Sequence, residues 1–364
     1  MTQTAIPFLF MRGGTSRGPY MLRSDLPEDH ETLARVLVAI VGSGHSLNID
    51  GIGGGAAVTT KVAMLSPSND DWADVDYFFA QVSVEDGLVD FKPTCGNILV
   101  GVGPATIEMG LLPASEALTE VRIRAVNTGA RVTARVRTHN GAVIYDGDAK
   151  IDGVPGSSAP IDLMFRDVVG GVTGTMFPTG NRIDVIDGTE VSCLDVAMPM
   201  VIARAKDFAL TGYETAAELD ENRAFFERME AIRLRAGALM GMGDVSQSVT
   251  PKFGLLAPAR DGGTAATRYF MPWKTHPSLA VTGSQCLSAC LLCPGTVGAE
   301  MTNGVSGSPA QLNLEHPMGQ LDVAVEFSRN GDDFDLVSAG LTRTARKLAA
   351  GEVFVPTGVW TTTT

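Results

Sequence analysis

The sequence has little of what metal enzymes, membrane proteins and phosphate-binding proteins usually contain. Its five histidines are scattered and form neither an HxH nor an HExxH pattern, and a GxxxxGK[ST] phosphate loop is missing. Its longest hydrophobic runs, such as 36–41, are far too short to cross a bilayer. The N-terminal residues lack the basic segment and long apolar core of a signal peptide. We therefore expect a cytoplasmic protein with no membrane partner.

Cysteine is scarce as well, with five residues in a chain of 364: Cys95, Cys193, Cys286, Cys290 and Cys293. An odd count in a chain long enough to bury a core without disulfides predicts reduced thiols. Cys290 and Cys293 have the C-x2-C spacing of a metal-ligand pair. The run around them is apolar and helical, however, with no second pair or nearby histidine. The sequence therefore predicts no metal site.

Positive charge is the minority, with 28 Lys and Arg against 41 Asp and Glu, which gives a net charge of −13. Such a surface repels nucleic acid and anionic membranes, so we expect neither as a partner. It still permits an anionic small ligand, because a local cationic pocket dominates at short range. With 45% hydrophobic and 19% charged residues, the chain is an ordinary globular protein of a length that favours two domains.

Short β-like runs alternate with a few helices. Apolar periodicity predicts helices over 28–41, 96–110, 216–239, 279–292 and 343–348. The most apolar helices, 96–110 and 279–292, each follow a proline-containing turn and lie among strands, one in each half of the chain. This repetition predicts two equivalent domains with the active cleft between them. In the long helix, charged residues recur at helical spacing and predict a solvated face: Arg223, Glu227, Glu230 and Arg233.

Cys95 lies where an extended segment stops at Pro93 and the helix 96–110 begins. A thiol at a helix N-terminus faces unpaired backbone N–H groups and the positive end of the helix dipole, and both favour the thiolate. Cys95 is therefore a candidate proton donor or acceptor near neutral pH. The alternative is a small buried residue at a tight turn, since cysteine is among the most buried residue types.

Lys61 is the second candidate, in the otherwise uncharged β-like run 56–65. Partial burial would favour its neutral form and make it a general base, whereas the alternative is a surface lysine on an edge strand. The preceding loop, 50–55, is rich in glycine and can bring backbone N–H groups close to an anion. Its GxGxxA spacing opens a strand and not a helix, so we reject a nicotinamide cofactor.

Further candidates could bind an anionic ligand. The turn MRGGTSRG (11–18) supplies two guanidinium groups, which bind carboxylates bidentately, and two hydroxyls: Arg12, Thr15, Ser16 and Arg17. The alternative for this turn is a solvated hairpin loop. In the second half, loop residues near a helix start could add anion donors: Thr179, Gly180, Lys274, His276 and Ser278.

Together these stretches resemble one isomerase family, which includes methylaconitate isomerase and 4-oxalomesaconate tautomerase. The similarity covers essentially the whole chain and rests on MRGGTSRG, DGIGG followed by TTKVA, TCGN followed by GVGP, PTGNRIDVIDG, GDVSQ, EHPMGQLDV and RTARKLAAGEVFVP. It implies an α+β fold like that of diaminopimelate epimerase, with two pseudo-symmetric domains, each a curved, mostly antiparallel sheet around a central helix. We expect these domains at 1–182 and 183–339, with a return of 340–364 to the first domain as an alternative.

The resemblance also implies catalysis without a cofactor on a di- or tricarboxylate. It makes Lys61 and Cys95 the acid/base pair and assigns substrate carboxylates to Ser16, Arg17 and the glycine-rich loops. Gly53, Gly54, Gly96 and Asn97 are candidate binding residues in and beside those loops. The helix 279–292 has no cysteine at its start. We therefore expect a lysine–cysteine pair and not two-cysteine racemisation.

The most detailed expectation from this resemblance concerns the substrate. TCGNILVGVGP, FPTGNRIDVIDG and EHPMGQLDV resemble 4-oxalomesaconate tautomerases of gallate or protocatechuate breakdown more than methylaconitate isomerases. Isomerisation of methylaconitate or aconitate is the alternative. A catalytically inactive protein that binds polycarboxylates is an alternative of another class. A homodimer and a monomer both remain open.

Overall fold

The first and last strands of the chain pair with each other, from Gln3 opposite Pro356 to Gly13 opposite Ala345. The computed structural model describes residues 3–302, 305, 307–331 and 333–361. Its contacts divide the chain into Met1–Leu163 with Thr342–Thr364, and Met164–Leu341. The boundary thus precedes the predicted 182, because the segment after 163 contributes core residues to the second unit.

The first unit alternates strands with two helices, α1 (His30–Val41) and the central α2 (Gly96–Glu108). Its strands are β1 (Gln3–Gly13), β2 (Ser16–Leu22), β3 (Lys61–Pro67), β4 (Val75–Val82), β5 (Val89–Asp90), β6 (Ala117–Ala125), β7 (Arg131–His139), β8 (Ala142–Val143) and β9 (Pro160–Arg166), the last of which crosses the boundary. The pairings β1–β2, β3–β4 and β6–β7 are antiparallel, whereas β2–β3 and β4–β6 are parallel.

The second unit repeats this series. Its helices are α3 (Ala216–Glu221), α4 (Arg223–Leu239) and the central α5 (Val281–Leu292). Its strands are β10 (Asp184–Ile186), β11 (Thr189–Val196), β12 (Met198–Arg204), β13 (Lys252–Pro258), β14 (Ala265–Phe270), β15 (Ala310–His316), β16 (Gly319–Asn330) and β17 (Asp333–Pro356), whose residues from Thr342 belong to the first unit. The pairings β11–β12, β13–β14 and β15–β16 are antiparallel, and β12–β13 and β14–β15 are parallel.

Each unit has one buried helix among its strands. In α2 every residue from Ile98 to Ile107 is buried, and α2 contacts β1 to β4 and β6 to β8. In α5 every residue from Gly283 to Leu292 is buried, against β11, β12 and β16. The predicted α+β class, with one central helix in each of two equivalent units, is confirmed.

The sequence prediction is wrong for 343–348, which lies in β17 and not in a helix. The pattern of charged and apolar residues there suits a helix surface, but β1 pairs in antiparallel register with residues 345–347 of this segment. Backbone pairing along that strand outweighs a weak local propensity.

The predicted helix 216–239 is two helices, because Asn222 ends α3 and its side chain accepts the Phe225 N–H at the start of α4. The predicted solvated face is also wrong at Arg233, which is fully buried. Its guanidinium pairs with Glu230 at 2.6 Å and donates to backbone carbonyls, including that of Val245. No helix in the described ranges, α4 included, has the length and hydrophobicity needed to span a bilayer.

A close backbone contact holds β2 against β3. A Cβ atom at Gly18 would lie 1.8 Å from the carbonyl oxygen of Lys61, so only glycine fits there without movement of the strands. This contact places the start of β3, and therefore Lys61, beside the β1–β2 hairpin.

We expect Gly18→Ala to lower the free energy of unfolding by about 1–3 kcal/mol, because the added methyl group forces β2 away from β3. Urea unfolding measures this change. Gly351→Ala is the matched control, since Gly351 also lies in a strand but a Cβ atom there meets nothing within 4 Å. Equal stability of the two variants would contradict the inferred contact.

Candidate active site

Helix α2 is buried along most of its length but open at its start. Gly96 is exposed and Cys95 is half-buried, whereas the helix is buried from Ile98 onward. Cys95 is the N-cap residue, and its carbonyl accepts the Leu99 N–H at 2.9 Å. The open end therefore carries the Cys95 thiol together with backbone N–H groups that an α-helix leaves unpaired.

Two buried tyrosines hold the carbonyl groups at this end. Tyr20 Oη donates to Ile98 O at 2.5 Å, and Tyr77 Oη donates to Cys95 O at 3.4 Å. Burial raises the pKa of both phenols well above the ordinary value, and negative charge on Cys95 raises it further. Both hydroxyls therefore stay protonated at neutral pH and keep the start of α2 in place.

The other four cysteines are buried, so Cys95 is the accessible thiol of the five. Burial raises the pKa of Cys193 and Cys290 to about 12 and that of Cys293 to about 11. Burial also raises the pKa of Cys286 well above its ordinary value. Within the described residues, no group of three histidine, cysteine or acidic side chains could hold a metal ion.

Lys61 opens β3, which has a neighbouring strand on each side, β2 and β4. The alternative of an edge-strand lysine is therefore wrong. Lys61 is half-buried, and its Nζ donates to Gln81 Oε1 at 2.6 Å. Gln81 Nε2 in turn donates to oxygen atoms of Ala57, Thr60 and Val82, which turns Oε1 towards the lysine.

Aromatic side chains connect the surroundings of Lys61 and Cys95. Lys61 Nζ lies 5.4 Å from the centroid of the Phe79 ring. The Phe79 and Tyr77 rings are 6.3 Å apart, and Tyr77 hydrogen-bonds the Cys95 carbonyl. The two predicted catalytic residues therefore belong to one region of the first unit.

The turn 11–18 joins β1 and β2, with Arg12 opposite Arg17. Arg12 is half-buried, and its Nη1 donates to Gly14 O at 3.0 Å and to Thr344 O at 2.8 Å. These bonds tie the hairpin to β17. Arg17 is exposed and lies 5.8 Å from the Phe10 ring centroid, so more of its guanidinium is open to a ligand.

A cavity of about 610 Å³ lies beside this hairpin, within the first unit. Most of its lining is basic, hydroxyl-bearing or small: Arg12, Thr15, Ser16, Arg17, Thr59, Tyr145, Asp146, Gly153, Val154, Pro155, Ser157, Ser158, Arg346 and Leu348. Thr15 Oγ1 accepts a hydrogen bond from Asn97 Nδ2 at 3.0 Å, which connects this cavity to the start of α2. Lys61 and Cys95 are not among the lining residues. Lys61 follows the lining residue Thr59 by two positions, and Cys95 precedes Asn97 by two positions.

The predicted glycine positions differ in what surrounds them. Gly53 N–H donates to Val41 O at 3.0 Å, so this amide serves the fold. A Cβ atom at Gly54 would lie 2.8 Å from Arg17 Nη2, which places this loop against the arginine. Gly96, at the exposed start of α2, has open space in front of it.

The predicted binding residues of the second unit lie in its loops. Thr179 Oγ1 donates to Asp184 at 2.7 Å, and Gly180 has a left-handed backbone (φ +78°). The Ser278 N–H donates to His276 Nδ1 at 3.0 Å. Lys274 is exposed in the same loop, before α5. Their binding roles stay predictions.

Four residues around the site were not predicted from the sequence: Tyr20, Tyr77, Gln81 and Arg346. Gln81 faces Lys61 through an antiparallel register that single-sequence patterns do not specify. Arg346 lies in the segment 343–348, which the sequence pattern predicts as a helix, so its position opposite Arg12 is not recognised from the sequence. A strand prediction there, paired with the first strand, would have found it.

A family model described as PrpF protein matches residues 3–356. YbhH of Escherichia coli strain K12 is 49% identical over 96% of this chain and 99% of its own, and its name gives the class isomerase but no substrate. The 4-oxalomesaconate tautomerase of Pseudomonas putida is 44% identical over 99% of both chains. The (4E)-oxalomesaconate Delta-isomerase of a Novosphingobium species is 45% identical over 96% of this chain and 97% of its own.

A solved structure of a methylitaconate-delta-isomerase is also similar to this chain. It superposes with a TM-score of 0.86 at 32% sequence identity and covers 100% of this chain and 98% of its own. The similarity therefore extends over the whole fold.

Near pH 8, we expect a thiol reagent such as DTNB to modify Cys95 rapidly and the other four cysteines slowly. A pKa of about 11 at Cys293 leaves roughly one thiolate in a thousand at that pH. In the unfolded protein all five thiols should react with DTNB, and Cys95→Ser should abolish the rapid phase. A rapid phase that persists in Cys95→Ser would show that another thiol is accessible.

Proposed function

This chain belongs to the PrpF protein family, and we propose that it is an isomerase that shifts a proton within an unsaturated keto polycarboxylate, with 4-oxalomesaconate as its substrate. The observation that carries this proposal is the 44% and 45% identity, over nearly full length, to two oxalomesaconate enzymes. We further propose that it works without a cofactor, in the cytoplasm, in gallate or protocatechuate breakdown.

The names of these two relatives describe two reactions, a tautomerisation and a double-bond shift, which can share a first step. A C–H next to both a carbonyl and a conjugated alkene carboxylate is unusually acidic, and its removal leaves a dienolate. Return of the proton to oxygen gives the enol, and return to a different carbon gives the allylic isomer. Either route conserves all atoms and electrons and needs no co-reactant.

The first unit offers groups for each part of this chemistry. In the proposed mechanism Lys61 and Cys95 are the acid/base pair, one removing the proton and the other returning it. The N–H groups at the start of α2 and the guanidinium of Arg17 would stabilise the negative charge of the dienolate. Gln81 would hold the Lys61 amine through its hydrogen bond at 2.6 Å.

Isomerisation of methylaconitate or aconitate is the second candidate function. The 30% identity to a 2-methyl-aconitate isomerase of Shewanella oneidensis, over 97% of this chain, favours it as the alternative, and the overlap with a methylitaconate isomerase at a TM-score of 0.86 agrees with a double-bond shift. The acid/base chemistry would be unchanged, because these substrates also lose a proton next to a conjugated carboxylate.

The deciding experiment follows ultraviolet absorbance and deuterium uptake together, with 4-oxalomesaconate in deuterated buffer. A rapid spectral change with deuterium uptake, both lost in Lys61→Ala, would support the proposal. Activity with methylaconitate or aconitate only would replace the substrate but keep the chemistry. Binding without exchange for any of these acids would identify an inactive polycarboxylate-binding protein.

We expect Cys95→Ser to lower kcat by about 100-fold or more while the substrate Kd changes little, because the hydroxyl is a far weaker acid than the thiol. Stopped-flow turnover and calorimetry measure the two effects. Cys286→Ser is the control, since its thiol is buried within α5 of the other unit. Unchanged turnover in Cys95→Ser would return Cys95 to a structural role.

We expect Gln81→Glu to move the limb of the pH profile that reports Lys61 upward by about one unit, because a carboxylate 2.6 Å from the amine stabilises its ammonium form. The pH profile of kcat/KM measures this shift. Gln311→Glu adds the same charge at an exposed position of β15 and should leave the profile unchanged. An unshifted profile in Gln81→Glu would separate Gln81 from the function of Lys61.

A further inference from the structure

Three arginines form a row across adjacent strands of the first unit. Arg12 on β1 lies directly opposite Arg17 on β2 and directly opposite Arg346 on β17. Directly opposed residues in antiparallel strands project from the same face of a sheet. The row spans two strand spacings, about 10 Å. All three side chains line the 610 Å³ cavity.

Such a row is unfavourable by itself, because like charges that face each other across a strand pair repel. Burial, and next the charge of Arg346, lower the pKa of Arg12. Asp146 is the one acidic side chain in the described lining, so three positive charges face one negative charge. The cavity is therefore locally cationic in a chain of net charge −13.

Hydrogen bonding differs between Arg12 and Arg346. Arg12 Nη1 is occupied by Gly14 O and Thr344 O, and its Nη2 lies 3.5 Å from Ser158 Oγ. Arg346 is exposed, and its guanidinium makes no hydrogen bond or ion pair with another described residue. Arg12 thus keeps the row in place, while Arg346 has its guanidinium fork open.

A buried hydroxyl in the same lining also lacks a partner. Ser16 is 3% exposed, and its Oγ has no hydrogen-bond partner in the described structure. A buried polar group without a partner costs free energy. Ser16 directly precedes Arg17 in β2, so its side chain projects from the opposite face of the sheet and its hydroxyl is not part of the arginine row.

We propose that Arg346 is a substrate-binding residue, and that with Arg17 it binds a carboxylate of the substrate that lies away from the reacting carbon. The cavity adjoins Thr59, two residues before Lys61, and Thr15, which is bonded to Asn97, two residues after Cys95. Chain neighbours of both candidates therefore adjoin the cavity that holds the row. The physiological identity of this ligand rests on the proposed function, but the binding of a carboxylate does not.

The test compares tricarballylate with glutarate, which has the same main chain and terminal carboxylates but lacks the central carboxylate. Calorimetry should show that the wild-type protein prefers tricarballylate by about 10-fold or more, as expected for a charge-assisted hydrogen-bonded pair. Arg346→Ala should reduce this preference towards unity, and Arg346→Lys should keep part of it. Arg137→Ala, which removes an exposed arginine of β7 outside the cavity, should preserve the preference.

Stability separates a binding role from a structural one. Removal of Arg346 relieves repulsion with Arg12, so the Tm of Arg346→Ala should equal or exceed that of the wild-type protein. With 4-oxalomesaconate, Arg346→Ala should raise KM by about 10-fold and change kcat by less than about 3-fold.

The outcomes distinguish this inference from the proposed function. A tricarballylate preference that is absent from the wild-type protein, or that survives in Arg346→Ala, would overturn the inference even if 4-oxalomesaconate is turned over. A preference that disappears in Arg346→Ala would support it even if 4-oxalomesaconate is not a substrate.

Discussion

The burial of α2 is the constraint on which the rest of the site depends. A helix that is buried from Ile98 to Ile107 can meet solvent only at its ends. The strands approach it so closely that a Cβ atom at Gly101 would lie 2.3 Å from the Tyr20 hydroxyl. That approach brings Tyr20 within hydrogen-bonding distance of the first-turn carbonyls. The thiol at Cys95 is accessible because the packing stops there, and the helix start is rigid because the packing begins one turn later.

Single-sequence patterns were sufficient where local chemistry determines structure. A proline turn followed by an uninterrupted apolar run identified α2 and α5, and strand–turn–strand patterns identified most of the sheet. The same reasoning found Cys95 at its helix start. It failed where a distant partner decides the outcome. Residues 345–347 pair with β1, nearly the whole chain length away, and Arg233 is buried by loop carbonyls that no helical pattern specifies.

The site shows the same limit in smaller detail. Lys61 is notable in the sequence because its neighbours are uncharged. Nothing in the sequence distinguishes Gln81, and only the strand register shows that it lies opposite Lys61. Arg12 and Arg17 are near each other in the chain, so their turn attracts attention as an anion site. Arg346 completes their row only through the pairing of the first and last strands. Residues that hold or extend a site through strand register therefore require the structure.

The proposed chemistry assigns different tasks to the two groups of residues. Tautomerisation and double-bond transposition can pass through one dienolate, so an acid/base pair alone does not determine which product forms. The product depends on which atom of the dienolate faces the returning proton, and that depends on how the carboxylates are held. In the proposed mechanism the accessible thiol at the helix start would give the proton a defined position, and the cationic row on the neighbouring strands would fix the orientation of the acid. Under this proposal the carboxylate-binding residues would determine which product forms, whereas Lys61 and Cys95 would keep the same roles for either product.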